Sequence, residues 1–133
     1  ETIGRQRPSR KPDAVHQVSV AGNQALLYRL SGDRNPQHAC PPTARERGFE
    51  RPVLHGLCTY GMACAAVLKH CCNWAPTRIT GFDARFSAPV FPGDTLCFAM
   101  WLEGQQVVVE GRCDARACVV LQGQLTLCDA AAI

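Results

Sequence analysis

Residues 56–72 constrain the fold more than any other part of the chain. Leu57, Cys58, Met62, Ala63, Cys64, Ala65, Ala66, Val67 and Leu68 leave almost no polar face, so this stretch is expected to be a long helix buried in the interior. Beyond Asn73 the apolar residues change to a strand period, and strands are expected over roughly 78–87, 95–102, 105–114 and 117–127. Pro92-Gly93-Asp94, Glu103-Gly104 and Asp114-Ala115-Arg116 supply the turns between them. A helix followed by an antiparallel meander is the order expected if one sheet wraps around one central helix, an α+β architecture.

With 133 residues, 47% of them hydrophobic, the chain has material for one domain with a real core and not for two. Residues 1–13 are polar, carry Pro8 and Pro12, and read as a linker or mobile tail, so the single domain is expected over 14–133. The net charge is only +3, and the basic cluster of Arg5, Arg7, Arg10 and Lys11 sits in that tail. A nucleic-acid partner is therefore not expected. Nine cysteines are many, yet the number is odd, no CxxC pair occurs and Cys71 and Cys72 are adjacent. That pattern suggests neither a disulfide framework nor a zinc site, and reduced thiols imply a cytosol-like compartment. No apolar run approaches the ~18 residues of a membrane span, so no membrane partner is expected.

Between the tail and the long helix the punctuation is dense. Val15, Val18 and Val20 suggest a short strand, and Asn23 is placed to cap a helix whose Ala25, Leu26, Leu27 and Leu30 end at Gly32. A short helix is expected over 41–47, with Pro42 in its first turn and Gly48 stopping it. The loop between these helices holds Gly32, Asp33, Asn35, Pro36 and His38. Gly32 can take the positive φ that ends a helix, and Pro36 keeps Asn35 out of the α region, so the chain must curl between Asp33 and His38. Both side chains can then face one pocket, and with no Cys or Ser in the loop they favour proton transfer to and from a bound water. Each also has a plainer reading: Asp33 and Asn35 as turn formers, His38 as a loop histidine, Gly56 as a helix-start glycine. His55 reads mainly as a structural residue at the helix entrance. Cys58, in the first turn of that helix, is the rival candidate, as a nucleophile for acyl transfer.

The run Tyr28 to Ala44, written Tyr-x-Leu-Ser-Gly-Asp-x-Asn-Pro-x-His-x5-Ala, resembles the signature of the hydratase 2, or MaoC-like, family of enoyl-CoA hydratases. A second block from Gly48 and Phe49 through Pro52 to Gly61, and a third from Arg85 and Phe86 to Leu96, are similar to the same family. The resemblance implies a hotdog fold and hydration of a trans-2-enoyl-CoA to a (3R)-3-hydroxyacyl-CoA, with coenzyme A thioester as substrate and no metal or redox cofactor. It implies Asp33 and His38 as the acid/base pair, in either assignment of roles, with Asn35 lining the site and the Gly56 N–H binding the thioester oxygen. It also implies a homodimer or pairing with a second hotdog domain or chain, in a cytoplasmic setting or a peroxisomal one in a eukaryote. The segment Arg10 to Val15 resembles the join into the second half of two-domain hydratases. Two positions depart from the family pattern: Gln37, where an aliphatic residue is usual, and Cys40, where Asp commonly precedes the proline. A 3-hydroxyacyl-thioester dehydratase and a non-catalytic acyl-CoA-binding subunit remain as alternatives.

Overall fold

A computed structural model describes residues 6–129; Arg5, the rest of residues 1–5 and residues 130–133 lie outside the described residues. Five strands, β1 (Ala14–Ser19), β2 (Ile79–Phe86), β3 (Thr95–Glu103), β4 (Gln106–Cys113) and β5 (Cys118–Leu127), form one sheet in the order β1-β3-β4-β5-β2. Every neighbouring pair is antiparallel. Three α-helices precede β2: α1 (Gln24–Tyr28), α2 (Pro41–Glu46) and α3 (Gly56–Cys71). The sheet curls around α3, which is the hotdog arrangement.

Alternation along the strands creates the core. Leu96, Phe98 and Met100 of β3, Val107 and Val109 of β4, and Leu121 and Leu125 of β5 all point at the helix and are fully buried. From α3 they meet Cys58, Ala63, Ala66 and Val67. Burying a large aliphatic side chain this completely contributes ~1.5–3 kcal/mol. The helix is not enclosed on every side, however. Leu57 is 64% exposed, and Gly61 and Ala65 are exposed at the following four-residue steps, because one sheet covers only one side of a helix.

The sheet's outer face is also partly covered. Trp101 and Val108 are register partners on that face and both are buried. The lead-in runs against them: the Trp101 indole donates to the Arg10 carbonyl at 2.9 Å, Leu102 N donates to Asp13 at 2.7 Å, and Asp13 N donates to Met100 O at 2.8 Å. Arg10 and Asp13 form a bidentate pair at 2.8 Å. Residues 10–13 are thus docked, although their composition is that of a tail.

The helix before the candidate loop is shorter than its apolar residues suggest. It gives way to a 3-10 turn at Arg29–Ser31, only Ala25 is buried, and Leu26, Leu27 and Leu30 face outward. Asn23 precedes it without a side-chain cap. The stop is as expected, with Gly32 at φ 119°. Three irregular segments then come together. Val53 N donates to Gln37 O at 3.2 Å and Leu54 N to Val90 O at 2.7 Å. The third segment is anchored by buried Asp94, whose Oδ2 accepts from Phe91 N at 2.9 Å and from Arg116 at 2.7 Å.

Candidate active site

The loop takes its shape from short-range bonds. Asn35 sits at φ −53°, ψ 124°, outside the α region as the following proline requires, and Pro36–His38 makes one 3-10 turn. The Asn35 carboxamide oxygen accepts from Gln37 N at 3.4 Å and from Arg47 at 3.0 Å. Asp33 Oδ1 accepts from Asn35 N at 3.2 Å, leaving Oδ2 free to face His38. That oxygen lies 3.9 Å from His38 Nε2.

His38 is buried, and its Nδ1 bonds the Val53 carbonyl at 2.6 Å. A carbonyl only accepts, so Nδ1 carries a proton, and in the neutral ring the lone pair is on Nε2, with Asp33 Oδ2 3.9 Å away. Burial holds the imidazole below its ordinary value; the His55 ring and Arg47 act in the same direction, while the Val53 bond and the Asp33 carboxylate oppose them. Burial thus favours the neutral ring, the form that can act as a base.

His55 is structural in this arrangement. It is buried and stacks on His38 with centroids 3.6 Å apart, and its Nε2 donates to the Asp33 carbonyl at 3.0 Å. The Tyr28 ring lies tilted against His55, with centroids 4.7 Å apart. Donor atoms of Asp33, His38 and His55 lie within 4.8 Å of one another, the one such group of three among the described residues. One nitrogen of each imidazole is already committed to a carbonyl.

A cavity of about 400 Å³ opens beside His38 and is mostly apolar, with Phe49, Leu54, Phe86 and Val120 among its walls. Gly56 lines it at the first turn of α3, where the leading amides have no partner within the helix and the dipole end is positive. A Cβ at Gly56 would come into van der Waals contact with the Phe86 ring at 3.4 Å. A substrate carbonyl at the Gly56 N–H would be within one cavity of His38. Cys58 does not join this group: it is buried in the core and burial pushes its thiol up, away from a reactive thiolate.

The structure therefore brings Asp33 and His38 together and sets His38 and Gly56 on the walls of one cavity. Asn35, expected to line the site, is not a wall residue, because its carboxamide is turned to Gln37 N and Arg47. Sequence reasoning missed Arg47, which reaches Asn35 from the end of α2; nothing in its local pattern marks it. Phe49 and Phe86 were visible only as members of the blocks that carry the family resemblance.

Residues 4–123 match the family model described as the MaoC like domain. The chain is 45% identical over 120 residues to the peroxisomal enoyl-CoA hydratase 2 of Arabidopsis thaliana, covering 90% of this chain and 39% of that protein. To 3-hydroxyacyl-thioester dehydratase Y of Mycobacterium tuberculosis it is 48% identical over 95 residues, covering 71% of this chain and 33% of that one. The solved structure of full-length peroxisomal multifunctional enzyme type 2 from Drosophila melanogaster superposes with a TM-score of 0.92 at 37% identity, over 96% of this chain and 24% of that chain. The chain spans well under half the length of each of these relatives. With nearly the whole sequence matched and the fold the same, this chain belongs to the MaoC-like domain family.

Proposed function

We propose that the chain is the catalytic domain of an (R)-specific enoyl-CoA hydratase, a hydro-lyase that adds water across a trans-2-enoyl thioester. The observation that carries this reading is the neutral His38 with its Nε2 lone pair 3.9 Å from the Asp33 carboxylate, beside an apolar cavity that the Gly56 end of α3 enters. Water held between the two groups attacks C3 and loses a proton to His38. The imidazolium passes that proton to the Asp33 carboxylate, which delivers it to C2, so the water is added across the double bond and the pair ends as it began. Exchanging the two roles uses the same residues. Negative charge building on the thioester oxygen is met by the Gly56 N–H, and removing a donor of this kind typically costs ~2.7–4 kcal/mol of transition-state stabilisation. Asn35 fixes the loop. No metal or redox group is needed for this sequence of steps.

The same site run backwards is a 3-hydroxyacyl-thioester dehydratase, the activity named for the Mycobacterium tuberculosis relative. The exposed strip of Leu57, Gly61 and Ala65 on α3 supports pairing with a second hotdog domain or chain, as does the chain's share of its longer relatives. Residues 14–133 act as one domain, with 1–13 as the lead-in. Among the described residues no helix is long and apolar enough to cross a membrane; a cytoplasmic or peroxisomal setting fits the reading.

Incubation with crotonyl-CoA and a longer trans-2-enoyl-CoA tests it. Loss of enoyl absorbance with a (3R)-hydroxy product is the expected result. Binding of both thioesters without turnover would favour the non-catalytic subunit instead, and an (S) product would reject the stereochemical assignment.

A further inference from the structure

Gln37, one of the two departures from the family pattern, stands inside the site. Its Oε1 accepts from Arg47 Nη1 at 2.9 Å, and its Nε2 lies 3.3 Å from His38 Nε2. A guanidinium offers donors only, so Arg47 decides which end of the amide is which: the carbonyl turns outward and the NH2 turns to the imidazole. That NH2 can only donate, so His38 Nε2 must accept. On the far side of the ring the Val53 carbonyl can only accept, at 2.6 Å, so Nδ1 must donate. Two separate partners therefore specify one tautomer, and one of them is incompatible with a protonated Nε2, which would set N–H against N–H.

Resting on the hydratase reading, we propose that Gln37, oriented by Arg47, is a positioning residue that holds His38 in the neutral Nδ1–H tautomer in the resting site, its NH2 occupying the Nε2 lone pair until the reacting water takes that place. The aliphatic residue usual at this position could not do so. Other groups facing His38 are the Asp33 carboxylate, which favours protonation, and Arg47 and the stacked His55 ring, which disfavour it. Arg51 shares a second cavity wall with His38.

The test is an NMR titration of His38 by 15N–1H correlation in wild type, Gln37→Leu, Gln37→Glu and Arg47→Ala, paired with pH profiles of kcat/KM. In wild type Nε2 is expected to be the bare nitrogen. Gln37→Leu removes a hydrogen bond that only the neutral ring accepts, raising the protonation midpoint by roughly half to one pH unit. Gln37→Glu supplies an acceptor for the protonated ring and raises it further. Arg47→Ala frees the amide to turn and raises it too, with a smaller effect when Gln37 is already Leu. The acid limb of kcat/KM moves with each midpoint. If Gln37→Leu fails to fold, Gln37→Asn, too short to reach Nε2, is expected to shift the midpoint the same way. Coincident midpoints, or a wild-type Nε2–H tautomer, would overturn the proposal. The NMR reading needs no turnover: ordered shifts in a chain inactive on every enoyl thioester would keep the lock and sink the hydratase reading. A hydrating chain with coincident midpoints would do the reverse.

Discussion

The sheet and the loop of residues 32–55 are built on different terms. In β3, β4 and β5 every core residue is held by many neighbours: Phe98, Met100, Val107, Val109, Leu121 and Leu125 are all fully buried, and the ladders satisfy the backbone. In the loop each group that matters hangs on one or two directed bonds. His38 is aimed by Val53 O, His55 by Asp33 O, and Asn35 by Gln37 N and Arg47. Packing is additive and tolerant of small adjustments, whereas a single hydrogen bond fixes direction and has no substitute. Damage to the sheet should therefore appear as lost stability, and damage to the loop as lost activity in a folded protein.

Asp33→Asn is the sharpest way to separate the two. The side chain is 57% exposed and the amide oxygen can still accept from Asn35 N. Activity is expected to fall by ~10²–10⁴-fold, the usual contribution of general acid–base catalysis. Unfolding by urea is expected to shift by less than ~0.5 kcal/mol, as for other surface changes. Phe98→Ala should do the opposite, destabilising by ~3–5 kcal/mol while the folded fraction keeps its turnover per molecule. Gly123→Ala belongs with it at smaller scale. A Cβ there would stand 2.7 Å from the Asp83 carbonyl and 2.8 Å from the Phe82 ring. Backbone must shift to admit it, at a cost of ~1–3 kcal/mol by urea titration.

The smallest effect joins the regions. Burial lowers the folded-state value of His38 from the ordinary 6.5. Between the lowered value and 6.5 the unfolded chain binds more protons than the folded one, so stability rises with pH there and is lost as pH falls. His16, also lowered mainly by burial, contributes with the same sign. The His38 share is the difference between wild-type and His38→Gln urea midpoints measured from pH 7 to pH 5. That difference should shrink on acidification. A difference that is constant with pH would show that His38 titrates alike in both states.

The sheet was legible because period and turn chemistry agree. Strand ends fall within a residue or two of those expected, and Gly93, Gly104 and Gly32 take the positive φ that their turns and cap require. The long helix was placed correctly but its burial was overstated, since composition shows what a helix face is made of and not how much of it one sheet can cover. The docking of residues 10–13 escaped notice because Arg10 and Asp13 look like solvated charges until Trp101 and Leu102 are brought beside them. At the site, the Gly-Asp-x-Asn-Pro-x-His spacing gave the loop's turn and the approach of Asp33 to His38. The bonds that orient the imidazole depend on Val53 and Arg47, and their contacts arise only when separate segments pack. The Gln37 departure was visible, but its contact with His38 was not.

The central claim is that the chemistry resides in Asp33 and His38 acting as one unit on a scaffold that does not itself react. Its most direct test is kcat/KM for trans-2-enoyl-CoA hydration in wild type, Asp33→Asn, His38→Ala and the double variant, each confirmed folded. The account predicts a loss of ~100-fold or more in each single variant and little further loss in the double, because residues that share one task do not contribute additively. Wild-type activity in either single variant would contradict it.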